Sequence, residues 1–257
     1  MVNKISVVLI LVSILGTLQA QEQQGKWSVG IEVGAGYFNN VYNKTKEVKG
    51  DESQIELAEN LITSRKKYLG LPAFNAGVIV NRRLLDKWAI NFGLSYAQGG
   101  TVHVNKNPTY SSNYTGGSVS DNDWKIKTGE RFHYIELPVR LNYKTPISSK
   151  LTWTSGIGGI SSYLVKSTAF SKAKNKTTGE NLSFKKGDDS YMDNYRRFNI
   201  HGIVETGIDL HFSRFVLSVL GSFRMAIMPA VKAESSTYYE ERPFMVNGSL
   251  RLAYLIP

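Results

Sequence analysis

The 257-residue chain contains no cysteine. Disulfides, thiolate metal sites and thiol nucleophiles are therefore excluded together. Outside the N-terminal segment, no stretch reaches the ~18 apolar residues of a spanning helix, which excludes a helical membrane protein. Acids are in deficit, with 21 Asp and Glu against 31 Lys and Arg, a formal charge of +10. Such an excess admits nucleic acid, anionic lipid or a basic surface protein. Stacking motifs and a recognition helix are missing, so nucleic acid is set aside. Hydrophobic residues still make up 42% of the chain, enough to bury a core and to exclude a largely disordered protein.

Lys4 precedes an apolar run from Ile5 to Leu15, followed by Gly16, Thr17, Gln19 and Ala20. A positive residue, about 11 apolar residues and a small residue at the end predict a secretory signal peptide. Residues 1–20 are expected to be cleaved, leaving 21–257 as one domain that begins at Gln21. The run is too short for a membrane anchor, which needs ~20 residues. No cysteine follows it to carry a lipid. Loss of Lys4 lowers the formal charge from +10 to +9.

The recurring signal is alternation of period two, the mark of a half-exposed strand. Trp27, Val29, Ile31, Val33, Ala35 and Tyr37 alternate with Ser28, Gly30, Glu32, Gly34 and Gly36. Phe74, Ala76, Val78 and Val80 alternate with Asn75, Gly77 and Asn81, while Ile79 breaks the pattern. A third segment sets Trp88, Ile90, Phe92, Leu94 and Tyr96 against Ala89, Asn91, Gly93 and Ser95. A fourth sets Ile135, Leu137, Val139, Leu141 and Tyr143 against Glu136, Pro138, Arg140 and Asn142. A glycine-rich fifth runs from Leu151 to about Val165, with Trp153 and Ile157 on its apolar face. The last three carry Phe198–Phe212, Phe215–Met225 and Phe244–Ile256, with Asn199, His201, Glu205, Asp209, His211, Arg224 and Arg251 on the opposite side. Eight is an even number, and these lengths suit the ~9–11 residues of a tilted membrane strand.

Short links join segments two and three around Leu85-Asp86-Lys87, four and five around Thr145–Lys150, and six and seven at Ser213-Arg214. The other four are long: roughly Asn39–Leu71, Gly99–Arg131, Lys166–Arg197 and Ala226–Glu241. Strict alternation of long and short links is the pattern of a barrel with short periplasmic turns and long external loops. A soluble barrel has no reason to lengthen every second loop. Trp27, Tyr37, Trp88, Tyr96, Tyr143 and Tyr254 stand near strand ends, where lipid–water interfaces select aromatics.

The opposite face is mostly Gly, Ser and Asn, with eight ionisable residues: Glu32, Glu136, Arg140, His201, Glu205, Asp209, Arg224 and Arg251. Four acids nearly balance three arginines. An eight-stranded barrel is about wide enough to be filled by side chains. Charges buried there must be paired. The pattern predicts a carboxylate–arginine network plugging a polar lumen, with the glycines making room for arginine side chains.

The run Phe132-His133-Tyr134-Ile135-Glu136-Leu137-Pro138-Val139-Arg140-Leu141-Asn142-Tyr143 resembles the Tyr-Leu-Glu-Ile-Pro strand of the PorT-like outer-membrane β-barrel proteins of Bacteroidetes. Gly156-Ile157-Gly158-Gly159 followed by Tyr163-Leu164 is similar to the glycine-rich strand that follows it there. The resemblance covers nearly the whole chain. It implies an all-β, eight-stranded antiparallel up-and-down transmembrane barrel of the OmpA/OmpX kind, inserted by the outer-membrane assembly machinery. It implies no single activity, since only some members are linked to secretion or gliding. Such barrels commonly end in an aromatic residue, whereas Tyr254-Leu255-Ile256-Pro257 closes this sequence.

Chemistry is sparse. The histidines are His103, His133, His201 and His211. His201 and Glu205 share a strand face, but four residues at ~3.3 Å each separate them by roughly 13 Å, too far for a base and its orienting partner. His133, at the outer end of its strand, is the best candidate for an enzyme acting on lipid A. No Ser-His-acid arrangement follows, and a non-enzyme is expected. Asp121-Asn122-Asp123 and Asp188-Asp189 lack a complete calcium-loop spacing, so neither metal nor cofactor is expected. Asp51 and Gln54 at capping-box spacing predict a short helix through Ile55, Ala58 and Ile62 in the first long link. In the third, Lys166, Lys172, Lys174, Lys176, Lys185, Lys186, Arg196 and Arg197 outnumber Glu180, Asp188, Asp189 and Asp193 by four. Such a surface attracts lipopolysaccharide phosphates. The expected role is envelope integrity or docking of a protein partner through external loops. Assistance in secretion or transport stands second, ahead of a lipid A enzyme and a soluble periplasmic ligand-binding barrel.

Overall fold

The computed structural model describes residues 27–44, 69–105, 124–186, 195–231 and 239–257. The expected signal peptide, the expected helix through Ile55–Ile62, Asp121–Asp123 and Asp188-Asp189 lie outside the described residues. The described residues form nine strands: β1 (Trp27–Lys44), β2 (Leu69–Leu85), β3 (Trp88–Asn105), β4 (Trp124–Pro146), β5 (Leu151–Asn175), β6 (Asn181–Lys186), β7 (Phe198–His211), β8 (Phe215–Ala226) and β9 (Tyr239–Ile256). Eight of them pair antiparallel in chain order, and β9 returns to β1 to close the ring. The ninth, β6, pairs with β5 alone and folds back on its outer half.

Register sets the shape. One row of cross-strand partners runs from Glu136 through Ser95, Gly77, Glu32, Arg251, Ser218, Asp209 and Thr152. It returns to β4 at Pro146, ten residues below its start. With ~3.3 Å per residue and ~4.8 Å between strands, a stagger of ten over eight strands tilts each strand by ~40°. The ring is narrow enough for inward side chains to meet across it.

Alternation places the two faces as the pattern predicts. Ile31, Val33, Leu94, Leu137, Val139, Ile157, Val204, Leu250 and Leu252 point outward and are exposed, although all are apolar. Aromatic side chains edge this band: Trp88 packs on Tyr143 at 5.0 Å and Phe215 on Tyr254 at 5.4 Å between ring centroids. From Trp88 to Tyr96 the outward face of β3 spans nine residues, a membrane crossing for a tilted strand. Ile79, which breaks the alternation in β2, turns inward and is 4% exposed, seated between its register partners Gly30 and Gly93.

One expectation is corrected. The long links are shorter than the sequence suggests, because strands climb through them. β3 continues to Asn105, β4 starts at Trp124 and β5 reaches Asn175, where Gly99–Arg131 and Lys166–Arg197 were expected to be loops. Polar residues with little apolar alternation hid these extensions, which cross-strand hydrogen bonds hold together. A bulge at His133/Tyr134, where Val165 is the extra residue of β5, shifts the alternation between the lower and upper halves of this wall. The opposite wall stays low, with 14 residues in β7 and 12 in β8 against 25 in β5.

Candidate functional site

All eight ionisable residues singled out from the sequence are buried on the inner face. The stagger decides which of them meet. Each step along a register row descends the barrel by about 3 Å. Glu32 on β1, Arg140 on β4, Glu205 on β7 and Arg251 on β9 therefore come to one height.

There Arg140 donates to both oxygens of Glu32, at 2.9 and 3.3 Å, and its Nη1 lies 3.2 Å from Glu205 Oε2. Arg251 approaches Glu32 Oε2 through Nε at 3.1 Å and Nη2 at 2.8 Å, with Glu205 3.6 Å away. Two arginines and two carboxylates thus form a square with no net charge. The amide of Asn142 donates to Glu205 Oε1 at 2.6 Å, and Asn91 in turn donates to Asn142 at 2.8 Å. Each of the four charged side chains is at most 8% exposed, so the group seals the centre of the lumen.

Two further ion pairs lie about 10 Å above and below this square. Toward the outside, Arg224 Nη1 meets Glu136 Oε2 at 2.6 Å. Asn247 and Asn75 bond at 2.5 Å near that height. Toward the periplasm, Lys144 Nζ meets Asp209 Oδ2 at 2.8 Å, and His211 Nε2 lies 3.0 Å from Thr152 Oγ1. The network is thus three stacked groups and not one continuous web. His201 is buried on the same face, but its Nδ1 has no hydrogen-bond partner among the described residues.

Sequence reasoning missed Lys144, Asn91 and Asn142 as members of these groups. Lys144 carries the signal that would have found it, since it continues the inward parity of Glu136, Arg140 and Asn142. The glycines serve a different purpose from the one expected. A side chain added at Gly156 would meet the amide of Asn142 and come within 3.1 Å of Glu205 Cγ, and one at Gly34 would meet Asn75 and Asn247. They make room for asparagines and for close strand contact, not for arginine side chains.

The interior is also not polar throughout. Above the Glu136–Arg224 pair, Phe38, Phe132, Tyr134, Leu164, Tyr195, Val231 and Met245 form a buried apolar cluster with Ala73, Ala97 and Ala230. Phe132 contacts Tyr195 at 4.9 Å and Phe38 at 6.1 Å between centroids. The Tyr195 hydroxyl donates to Glu130 at 2.6 Å, and Asn40 donates to Glu241 beside the cluster. A bridge from Tyr195 to Val231 folds the segments flanking β7 and β8 over the low wall. The outer end of the lumen is therefore closed by packing, not by charge.

The catalytic candidate His133 faces outward, and its Nδ1 lies 2.5 Å from the Tyr96 hydroxyl across the strand pair. Among the described residues no group of three or more His, Asp and Glu has the geometry of a metal site.

Residues 19–230 match the family described as outer membrane protein β-barrel domain. No curated protein matches the chain in sequence. Among solved structures, OprG from Pseudomonas aeruginosa is 9% identical over 91% of this chain and 97% of its own, with a TM-score of 0.41. Neisserial surface protein A is 12% identical over 90% and 98%, with a TM-score of 0.38. The protease OmpT from Escherichia coli is 7% identical over 90% and 97%, with a TM-score of 0.35.

Proposed function

The chain belongs to the outer membrane protein β-barrel domain family, and from that premise we propose that it is a closed, non-enzymatic barrel serving envelope integrity or partner docking. The observation that carries the reading is the neutral square of Glu32, Arg140, Glu205 and Arg251, which fills the lumen with at most 8% exposure of any member. An ion or solute would have to break several charge-assisted hydrogen bonds there. It would also have to part the apolar cluster around Phe132 and Tyr195.

What such a barrel offers its surroundings is its outside. The tall wall of β3, β4, β5 and β6 carries an ordered sheet beyond the apolar band, suited to a protein partner or to lipopolysaccharide. The outer-membrane assembly machinery is the partner implied during insertion. Export would proceed through the N-terminal segment, with cleavage after Ala20. The Ile135–Arg140 strand supports placement near the PorT-like barrels of Bacteroidetes. The pairing of His133 with Tyr96 on the outer face speaks against catalysis there.

Planar-bilayer recording of the refolded protein tests the reading. The expected result is no steady conductance at moderate voltage. Large, stable openings would overturn the closed barrel and favour a transport role. N-terminal sequencing of protein from outer-membrane fractions tests the cleavage, with Gln21 as the expected first residue.

A further inference from the structure

Above the membrane band, the outward face of β4 and β5 carries Lys125, Lys127, Arg131, Lys166, Lys172 and Lys174. Register sets Lys125 directly opposite Lys174, and Lys127 directly opposite Lys172. Side chains so placed have Cβ atoms only about 5 Å apart, and like charges there repel. Gly129 and Phe170 form the next pair toward the membrane, and Arg131 the step after, its guanidinium 5.9 Å from the Phe170 ring; the register of Lys166 with His133 places that lysine one step further down.

No carboxylate partner among the described residues offsets Lys125, Lys127, Lys172 or Lys174. Among the described residues the acids nearest in chain lie elsewhere: Glu130 faces the inner side, bonded to Tyr195, and Glu180 lies in the turn at the tip. On neighbouring β3 the outward positions Gly100, Val102 and Val104 are uncharged. The backbone therefore holds Lys125, Lys127, Lys172 and Lys174 as two facing pairs on one sheet face, with no acid between them among the described residues. Directly below, the same face of the same strands continues as Ile135, Leu137, Val139, Tyr163 and Ile157, all exposed. The ladder begins where the lipid-exposed band ends.

We propose that this β4–β5 face is a phosphate-binding ladder for the anionic lipid of the outer leaflet, gripping headgroup phosphates on one side of the barrel. Same-face residues recur every ~6.7 Å along a strand, so one phosphate set between a facing lysine pair neutralises both, and the next pair takes a second. Lysine serves this as a flexible point charge, and Arg131 adds a planar fork held against Phe170. Among the described residues β7 and β8 carry no facing pair of cations, so the proposed lipid site lies on the tall side.

The proposal rests on the outer-membrane reading above, and the two fail separately. A boiled against unboiled gel shift reports whether the barrel folds, whereas titration with bisphosphorylated lipid A in neutral detergent reports the ladder. The triple change Lys127→Gln, Lys172→Gln and Lys174→Gln is expected to weaken lipid A binding at least about tenfold at low salt. The triple change to Arg is expected to retain it. Lys87→Gln with Lys150→Gln and Arg214→Gln, on the periplasmic turns, is expected to change it less than about twofold. Lys127→Gln and Lys172→Gln singly carry the test should the triple variant not fold. Wild-type binding by the ladder variants would overturn the proposal. So would inorganic pyrophosphate binding as tightly as lipid A, which would assign the site to free phosphate.

Discussion

Cations occupy two regions of this molecule under opposite rules. Inside the barrel, Arg140, Arg224, Arg251 and Lys144 each meet a carboxylate within 3.0 Å. On the outer ribbon of β4 and β5, lysines face lysines. In the lumen, desolvation makes an unmatched charge expensive, so every cation has its acid. At the ribbon, water and headgroups screen repulsion, and charges of one sign can accumulate until an external anion matches them. The same residue types thus contribute structure in one place and a binding surface in the other.

Changes that unbalance one region without touching the other test this contrast. The largest effect is expected from Glu32→Gln, which leaves Arg140 and Arg251 sharing only Glu205. A loss of about 3–5 kcal/mol should appear in urea unfolding of the vesicle-inserted protein. Removing a whole pair, as in Glu136→Leu with Arg224→Met, is expected to cost less than either change alone. A double variant less stable than both singles would break the argument from desolvation.

Next is Leu137→Arg, which puts a cation on the outward face within the apolar band. A cost of about 2–4 kcal/mol is expected there, although an arginine at the ribbon is tolerated. Lys144 lies at the periplasmic end with its side chain 24% exposed, but Lys144→Met strands Asp209, whose side chain is 3% exposed, so a cost of about 1–3 kcal/mol is expected in the urea midpoint. The smallest effect has the opposite sign. Lys127→Glu converts the facing pair with Lys172 into an attractive one and should raise stability by a few tenths of a kcal/mol in lipid-free detergent. Destabilisation by that change would show that the ribbon lysines are structural after all.

Much of the lumen was legible because a strand shows alternate residues to alternate faces. Parity alone assigns Glu32, Glu136, Arg140, Glu205, Asp209, Arg224 and Arg251 inward, and near-equal numbers of acids and arginines imply pairing. Parity cannot say who meets whom. Glu32 and Arg140 are 108 positions apart, and only the ten-residue stagger brings them to one height. Lys144 borders a turn, where alternation is no longer legible in the sequence. The apolar cluster at the mouth escaped for a related reason. Phe38, Phe132 and Met245 lie at inward parity beyond the segments where alternation is clear, and Tyr195 and Val231 belong to connecting segments.

By itself, the order of the amino acids determined the strands of the membrane band, the face each side chain presents and the side on which the long links lie. All three follow from local rules of period and turn length. Closure of the ring, its stagger, the three separate ionic layers and the bulge at His133/Tyr134 were decided only by the tertiary structure. So was the rise of β4 and β5 into a ribbon, whose polar, lysine-rich sequence has little strand character of its own. Hydrogen bonds between chain segments far apart in sequence supply it instead, and those exist only once the neighbouring strand is in place.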